Sequence, residues 1–296
     1  MSNNNNPRPP TKKELEKEFD LDPIEKIKVK RTLKHEKPIQ QMKQIKKSYD
    51  AEGRALETTG DCNNGGPRVW IMTSTPEPLR TIFTAIRTCY SPLDQAYIAY
   101  EEYFEYLNRP ASNTEFPNDV IRLLAQVAKM RHLSTLEHVT FTFGIRCISR
   151  ATLAQFTRHR IGWSYSVQSQ RYVKQSKDSR HGRFEYITPP LIKETPAEEI
   201  YNNFMKNAQE TYDKLIDLGI KPEDARYVLP NAATTNITVT ANLRAFIDFY
   251  EKRNNETHSQ WEIKCLAESM KKELLKVEPG LEFLFYDIED CDCNCE

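Results

Sequence analysis

The sequence predicts an α+β fold with a mostly antiparallel sheet flanked by helices. Residues 139–146 and 235–243 alternate apolar and polar side chains in the period of two that a half-buried strand requires. Residues 68–72 (RVWIM) predict a further short strand. These strands occur among helical patterns in irregular order, without the strand–helix–strand rhythm of a parallel sheet, which favours the antiparallel arrangement.

The parity of the two alternating segments predicts which side chains face the core. In the earlier one, Val139, Phe141, Phe143 and Ile145 point one way, and His138, Thr140, Thr142 and Arg146 point the other way. In the later one, Ile237, Val239 and Ala241 are expected to be buried. His138 would then lie on the polar face of a strand, where a ligand could bind, although a histidine here could also merely cap the strand.

Helical composition and apolar spacing predict the remaining elements. The helices are expected at residues 78–88, 93–107, 117–130, 151–158, 196–218, 245–252 and 261–275. Gly219 is the C-terminal cap of the long fifth helix, and Pro222 opens a further short helix. Residues 184–188 predict a short strand, and residues 161–169 predict a loop because serines and a glycine hide any clear period.

Composition excludes several classes of protein. The chain has 296 residues, 39% of them hydrophobic, and a formal net charge of zero, so no overall field steers it to nucleic acid or membrane. No apolar run approaches the roughly 20 residues of a membrane span, and the first residues do not resemble a secretory signal. Seven cysteines without a CxxC pair indicate a reduced, cytoplasmic setting and no metal site.

The sequence divides into three parts. Residues 1–66 predict a flexible basic extension, because its many lysines are accompanied by few large apolar residues. Residues 67–289 predict the folded domain, and residues 290–296 predict a flexible tail rich in cysteine. The Cys-x-Cys-x-Cys pattern of this tail lacks a fourth ligand and is not a structural zinc spacing.

The segment 155–172 (QFTRHRIGWSYSVQSQRY) carries the chemistry. Arg158, Arg160, Arg171 and, upstream, Arg150 surround His159 and several serines. An arginine fork matches phosphate oxygens two at a time, and histidine exchanges protons near neutral pH. This mixture is typical of a site for a phosphorylated nucleotide, although a solvated basic helix end could look the same.

The order of motifs resembles the flavin-dependent thymidylate synthase family. Its signature, RHR followed after seven or eight residues by serine, is matched by Arg158 to Arg160 and Ser169. Further motifs follow in family order at residues 136–143 (LEHVTFTF), 225–230 (ARYVLP), 242–244 (NLR), 253 and 258–263 (HSQWEI). The resemblance covers residues 68–287.

The resemblance implies an activity and its cofactors. Members of this family methylate dUMP to dTMP, with methylenetetrahydrofolate as carbon donor, FAD as hydride carrier and NADPH as reductant. They are homotetramers whose sites lie between subunits. The resemblance thus implies a flavoprotein methyltransferase of nucleotide biosynthesis.

The resemblance also assigns site residues. The dUMP-binding set comprises Gln155, Arg158, Ser169, Gln170, Arg171, Arg226 and Arg253. The FAD-binding set comprises Thr88, His138, Thr140, Arg158, His159, Arg160, Asn242, Arg244 and His258. Arg253 would polarise the nucleotide base, and Ser169 would bind and activate substrate without acting as a nucleophile, since no adjacent base is evident.

Two departures from the family pattern concern this site. The family loop reads S-x-N-E-x-S, whereas residues 164–169 read SYSVQS, so the glutamate is missing and Trp163 is inserted. Four residues, where the family has three, separate Arg253 from His258.

Two alternative functions follow from the same residues. A nucleic-acid-binding protein could use the RHR segment and the basic extension as a phosphate clamp. A flavin-binding relative with weakened catalysis would explain the missing glutamate.

Overall fold

The computed structural model describes residues 66–111, 116–179, 182–254 and 258–285. The predicted extension (apart from residue 66) and the predicted tail lie outside the described residues, so the predicted domain boundaries stay predictions. Among the described residues, no helix is long and apolar enough to cross a membrane.

A four-stranded sheet forms the centre of the described chain. Its strands are β1 (Arg68–Ser74), β2 (Thr140–Ser149), β3 (Trp163–Val167) and β4 (Thr234–Asn242). They lie in the order β1-β2-β4-β3, and each neighbouring pair is antiparallel. The predicted α+β class with an antiparallel sheet is therefore confirmed.

Helices flank this sheet. They are α1 (Pro78–Thr88), α2 (Gln95–Tyr97), a π-helix (Ile98–Glu102), α3 (Tyr103–Asn108), α4 (Asp119–Lys129), α5 (Arg150–Phe156), α6 (Ala197–Asp217), α7 (Pro222–Ala225), α8 (Leu243–Arg253) and α9 (Trp261–Val277). Short 3-10 helices occupy Leu133–His138, Arg226–Val228 and Pro279–Phe285. Gly219 caps α6 as predicted, with φ of 84° and its N–H bonded to the Ile216 carbonyl at 2.9 Å.

The hydrophobic core lies on one face of the sheet, under α8 and α9. Phe141, Phe143 and Val239 are almost completely buried, and the ring of Phe143 stacks on Phe246 of α8 with centroids 5.8 Å apart. The parity predicted for β2 and β4 is thus confirmed.

The opposite face of the sheet remains open and mostly polar. Trp70 of β1 lies flat over Gly144 of β2, so that a Cβ on this glycine would come within 2.3 Å of the indole. A shallow cavity of about 380 Å³ adjoins the tryptophan, and Arg146, Gln168 and Asn236 are among the residues that line it.

The prediction of a loop over residues 161–169 is wrong, because residues 163–167 form β3 and pair with β4 from Ala241 to Ile237. Trp163 and Tyr165 turn toward the core and stack at 5.8 Å, while the serines between them are exposed. The period of two was present in the sequence. Serines occupy the outward positions, and because serine is not a typical strand residue they masked this alternation.

Three smaller predictions also need correction. His138 does not lie on the strand; it ends a 3-10 turn one residue before Val139 and is exposed. The helix predicted to run to residue 158 ends at Phe156, so Arg158 follows it. Residues 184–188 do not form the predicted strand; within them, Tyr186 makes an isolated antiparallel bridge to Ala233.

We predict that Gly144→Ala lowers the free energy of unfolding by about 1–3 kcal/mol, because the new methyl group must displace Trp70. Urea denaturation measures this. The same change in a Trp70→Ala background should cost much less, since the ring is gone. Equal costs in both backgrounds would show that the packing of Trp70 on Gly144 is not the cause.

Candidate functional site

The predicted site residues divide between the two ends of β3. One group, here called the RHR cluster, comprises Gln155, Arg158, His159, Arg160 and Arg253 and adjoins the start of the strand. The second group, here called the arginine cradle, comprises Arg150, Arg171 and Arg226 with Glu223 and adjoins its end. The strand between them is four residue steps long, about 13 Å.

Backbone and tyrosine hydrogen bonds hold the RHR cluster against the sheet. The Tyr165 hydroxyl donates to the carbonyl of His159 at 2.7 Å and to that of Phe156 at 3.1 Å. The Asn242 N–H donates to the carbonyl of Gly162 at 3.0 Å. Gly162 has φ of 76°, and a Cβ there would lie 2.6 Å from the Asn242 amide, so this turn requires glycine.

His159 and Arg253 form the closest contact of the cluster. The Arg253 Nε–H donates to His159 Nε2 at 3.0 Å, and its Nη2 donates to the Gln155 carbonyl at 3.4 Å. Burial, and then the charge of Arg253, lower the pKa of His159 to about 4. Burial and then the nearby Arg158 lower the pKa of Arg253. The cluster is therefore a set of like charges that an anion would stabilise.

Several residues of the predicted flavin set lie at this same end of the sheet. Thr140 pairs with Asn242, His138 precedes them, and Arg244 follows. Asn242 caps α8 by accepting the Ala245 N–H at 2.8 Å. Arg158 and Arg160 are exposed and, among the residues the structure describes, pair with no carboxylate, whereas Arg244 pairs with Glu137.

Thr88, a further residue of the predicted flavin set, is not brought to this group within one chain. Thr88 is the last residue of α1, whereas the first residue of this helix lies near Thr140, and the helix between them is about 15 Å long. The Thr88 hydroxyl donates to the carbonyl of Thr84. His258 is exposed in a turn before α9. For both residues the flavin role stays a prediction.

Glu223 links two arginines of the cradle. Arg171 donates through Nε and Nη2 to one carboxylate oxygen of Glu223, at 3.2 and 3.0 Å. Arg226 donates through Nε to the carbonyl of Glu223 at 3.0 Å. Because Glu223 takes the Nε and Nη2 protons of Arg171, the Nη1 group of this guanidinium is left for a ligand.

Arg150 completes the cradle, and the residue set assigned from sequence omitted it. Its Nη2 donates to the carbonyl of Gln168 at 3.0 Å, while its Nε is buried without a hydrogen-bond partner. Burial and then the charge of Arg226 lower its pKa. Arg150 is half-buried, and its guanidinium has an unpaired N–H and lies beside a second arginine, so an anion at this position would supply a counter-charge. Its place at the junction of a strand and a helix, eight residues before Arg158, was the available signal.

Ser169 and Gln170 adjoin the cradle. The Arg171 N–H donates to the Ser169 hydroxyl at 3.2 Å. Among the hydrogen bonds of the described residues, none joins this hydroxyl to a histidine or carboxylate that could activate it, which agrees with a binding rather than a nucleophilic role.

A buried carboxylate fixes the start of α5, which carries Arg150. Glu262 accepts from both the N–H and the hydroxyl of Ser149, each at 2.6 Å, and Ser149 in turn caps the helix by accepting the Thr152 N–H. Glu262 belongs to the motif at residues 258–263, but the sequence indicated no role for it. Its partner is 113 residues away, so only the fold reveals the contact.

The geometry defines a class of ligand. Three guanidiniums and one carboxylate give the cradle a net charge of about +2, which matches a phosphate monoester of about −1.5 to −2. The opposite end offers exposed cations and donors around His159. Fold and charge together indicate a binder of phosphorylated nucleotides or similar anionic cofactors.

Comparison with known proteins identifies the family. The sequence profile described as thymidylate synthase complementing protein matches residues 71–280. The chain belongs to this family, and the resemblance inferred from the motifs is confirmed.

Relatives and solved structures agree with this assignment. Proteins named flavin-dependent thymidylate synthase from Clostridium tetani and Geobacter sulfurreducens are 37% and 38% identical; the matches cover 73% and 72% of this chain and 85% and 84% of those proteins. The crystal structure of thymidylate synthase X from Helicobacter pylori with FAD and dUMP gives a TM-score of 0.54 at 25% identity, covering 76% of this chain and 100% of that one. A UMP/dUMP methylase from Streptomyces cacaoi shares the fold, with a TM-score of 0.60 at 22% identity over 76% of this chain and 97% of that one.

We predict that Glu262→Gln lowers the free energy of unfolding by about 1–3 kcal/mol, because the amide cannot accept both Ser149 donors as the carboxylate does. Urea denaturation measures the loss. Glu282→Gln, at an exposed position, is the matched control and should change stability little. Similar losses in both variants would show that Glu262 does not stabilise the fold through its two bonds from Ser149.

Proposed function

We propose that this enzyme methylates dUMP to dTMP, taking the carbon from methylenetetrahydrofolate and reducing equivalents from NADPH through bound FAD. Family membership supports the reaction class. The observation on which the proposal chiefly depends is the arginine cradle with the unpaired Nε of Arg150, because it provides a built receptor for the nucleotide phosphate.

The residues at the RHR end suit a flavin nucleotide. FAD carries an anionic pyrophosphate, and Arg158 and Arg160 are exposed donors without carboxylate partners among the described residues. Thr140 and Asn242 bring further polar groups to the same end of the sheet. The bound flavin supplies hydride chemistry.

The protein's own contribution is positioning and charge. Arg253 places a cation where negative charge develops on the pyrimidine, which favours the reaction without covalent attack by Ser169. The cradle binds the phosphate and orients the base. Val167, the last residue of β3, stands where the family loop has its glutamate. The next residue, Gln168, accepts from Arg150 through its backbone carbonyl and from the Asn236 side chain through its own side-chain oxygen.

We further propose that each site draws on more than one subunit of a homotetramer. The predicted dUMP set is split between the two ends of β3, and no hydrogen bond or ion pair among the described residues joins Arg253 to the cradle. Residues of a second subunit would bring the two ends together around one nucleotide. The proposed location is the cytoplasm.

The alternatives are less well supported. A nucleic-acid clamp needs cations along an extended path, whereas the cradle is a compact group around Glu223. A relative with weakened catalysis would lack a positioned Arg253, yet this side chain is held by two hydrogen bonds.

Tritium release from 5-tritiated dUMP tests the reaction. We expect release that requires both NADPH and methylenetetrahydrofolate, by a purified protein that is yellow with bound flavin. A flavin-free protein that releases no tritium and binds DNA with steep salt dependence would contradict the proposal and favour the nucleic-acid clamp.

We predict that Arg226→Ala raises the Kd for dUMP by about 10- to 100-fold, because it removes a charged hydrogen bond to the phosphate. Calorimetry measures this, and the Kd for deoxyuridine, which lacks the phosphate, should stay nearly constant. Arg183→Ala, an exposed arginine outside the cradle, is the matched control. An equal loss for nucleotide and nucleoside would show that Arg226 does not bind the phosphate.

A further inference from the structure

The contact between His159 and Arg253 determines the chemical form of the histidine. Arg253 has no acceptor, so its Nε–H must donate, and His159 Nε2 must carry a lone pair. The imidazole is then neutral with its proton on Nδ1. A protonated His159 would face the guanidinium with an N–H and lose this bond.

The surroundings hold His159 in that form. Phe249 meets the imidazole edge-on at 5.1 Å, and Trp163 lies at 6.5 Å, so apolar rings cover the histidine. The charged groups that act on it are Arg158 on its own segment, and Arg253, Lys252 and Asp248 on α8. Three of these four are cations, which disfavours imidazolium. The pKa of about 4 that results leaves His159 neutral throughout the range where an enzyme of this kind would be assayed.

The same contact orients the arginine. His159 takes the Nε–H of Arg253, and the Gln155 carbonyl takes an Nη2 proton, so both acceptors lie on one side of the fork. Nη1 is left to reach a ligand. Without the acceptor at His159, the long side chain of Arg253 would regain rotamer freedom that binding would then have to remove.

We propose that His159 is a positioning residue that acts through Arg253, as a neutral hydrogen-bond acceptor rather than as an acid or base. The inference rests on the proposed function, in which Arg253 contacts the nucleotide base. The Nδ1–H remains available as a donor, so a flavin contact through this atom is compatible with the role.

Three variants separate this role from the alternatives. His159→Phe keeps an aromatic ring against Phe249 and removes the acceptor. His159→Gln places an amide oxygen near the position of Nε2 and keeps the acceptor. Arg253→Ala removes the side chain on which His159 acts, and the double variant with His159→Phe completes the cycle.

The readouts are the Kd for dUMP by calorimetry, kcat/KM from tritium release, and the bound flavin per chain, all on the flavin-loaded enzyme. We expect His159→Phe to lower kcat/KM by about 10-fold or more and to weaken dUMP binding, each measured on chains that carry flavin. His159→Gln should recover most of the loss. In the Arg253→Ala background, His159→Phe should change either quantity by less than about 2-fold.

The pH profile gives an independent check. With His159 as a neutral acceptor, kcat/KM of His159→Gln should follow the wild-type profile above pH 6. A wild-type ionisation near 6–7 that disappears in this variant would show acid–base catalysis and overturn the inference. Losses that multiply in the double variant, or a His159→Gln variant as impaired as His159→Phe, would overturn it as well. A wild-type chain that neither binds dUMP nor releases tritium would instead overturn the proposed function, and this inference with it.

Discussion

The pairing of β3 with β4 is the constraint on which the site depends. Its register, from Trp163 opposite Ala241 to Val167 opposite Ile237, sets the RHR cluster at one end of the sheet and the cradle at the other. A shift by one residue would turn Trp163 and Tyr165 out of the core and expose the stacked rings that fix the strand. The Tyr165 hydroxyl also fixes the backbone around Arg158, because it bonds to the carbonyl groups of Phe156 and His159.

Both ends of this strand hold like charges close together. Burial and then the charge of Arg226 lower the pKa of Arg150, and burial and then the charge of Arg158 lower the pKa of Arg253. Such pairs cost free energy in the absence of a counter-charge. The buried carboxylate of Glu262 and the aromatic cover of His159 hold the groups in place despite this repulsion. Anionic ligands would relieve it, which connects the packing of the fold to the proposed recognition of dUMP and FAD.

The sequence predicted the parts of the fold that have strong local signals. The alternation in β2 and β4 is driven by large apolar residues, and α1 was predicted with both ends correct because Pro78 opens it. The strand β3 was not predicted because its outward positions are serines and the turn before it contains Gly162. His138 lies two residues before the strand on which it was predicted, because local pattern cannot distinguish a last turn from a first strand residue at such a boundary.

The site was predictable in its residue types and not in its arrangement. Ordered motifs indicated the arginines and the histidine, but the contact of Arg253 with His159 spans 94 residues, and that of Glu262 with Ser149 spans 113. No local pattern encodes such pairs. Nor could the sequence show that one predicted set would be divided between two ends of a strand, or that Arg150 would carry an unpaired donor.

Complementation between two defective chains tests most directly whether those two ends meet around one nucleotide. Arg226→Ala and Arg253→Ala chains with different tags are co-expressed, the mixed assembly is isolated, and its turnover is measured near the wild-type Kd for dUMP. We predict turnover well above that of either parent assembly, because some mixed sites receive an intact cradle from one subunit and an intact RHR cluster from another. A mixed assembly no more active than its parents would contradict a site shared between subunits.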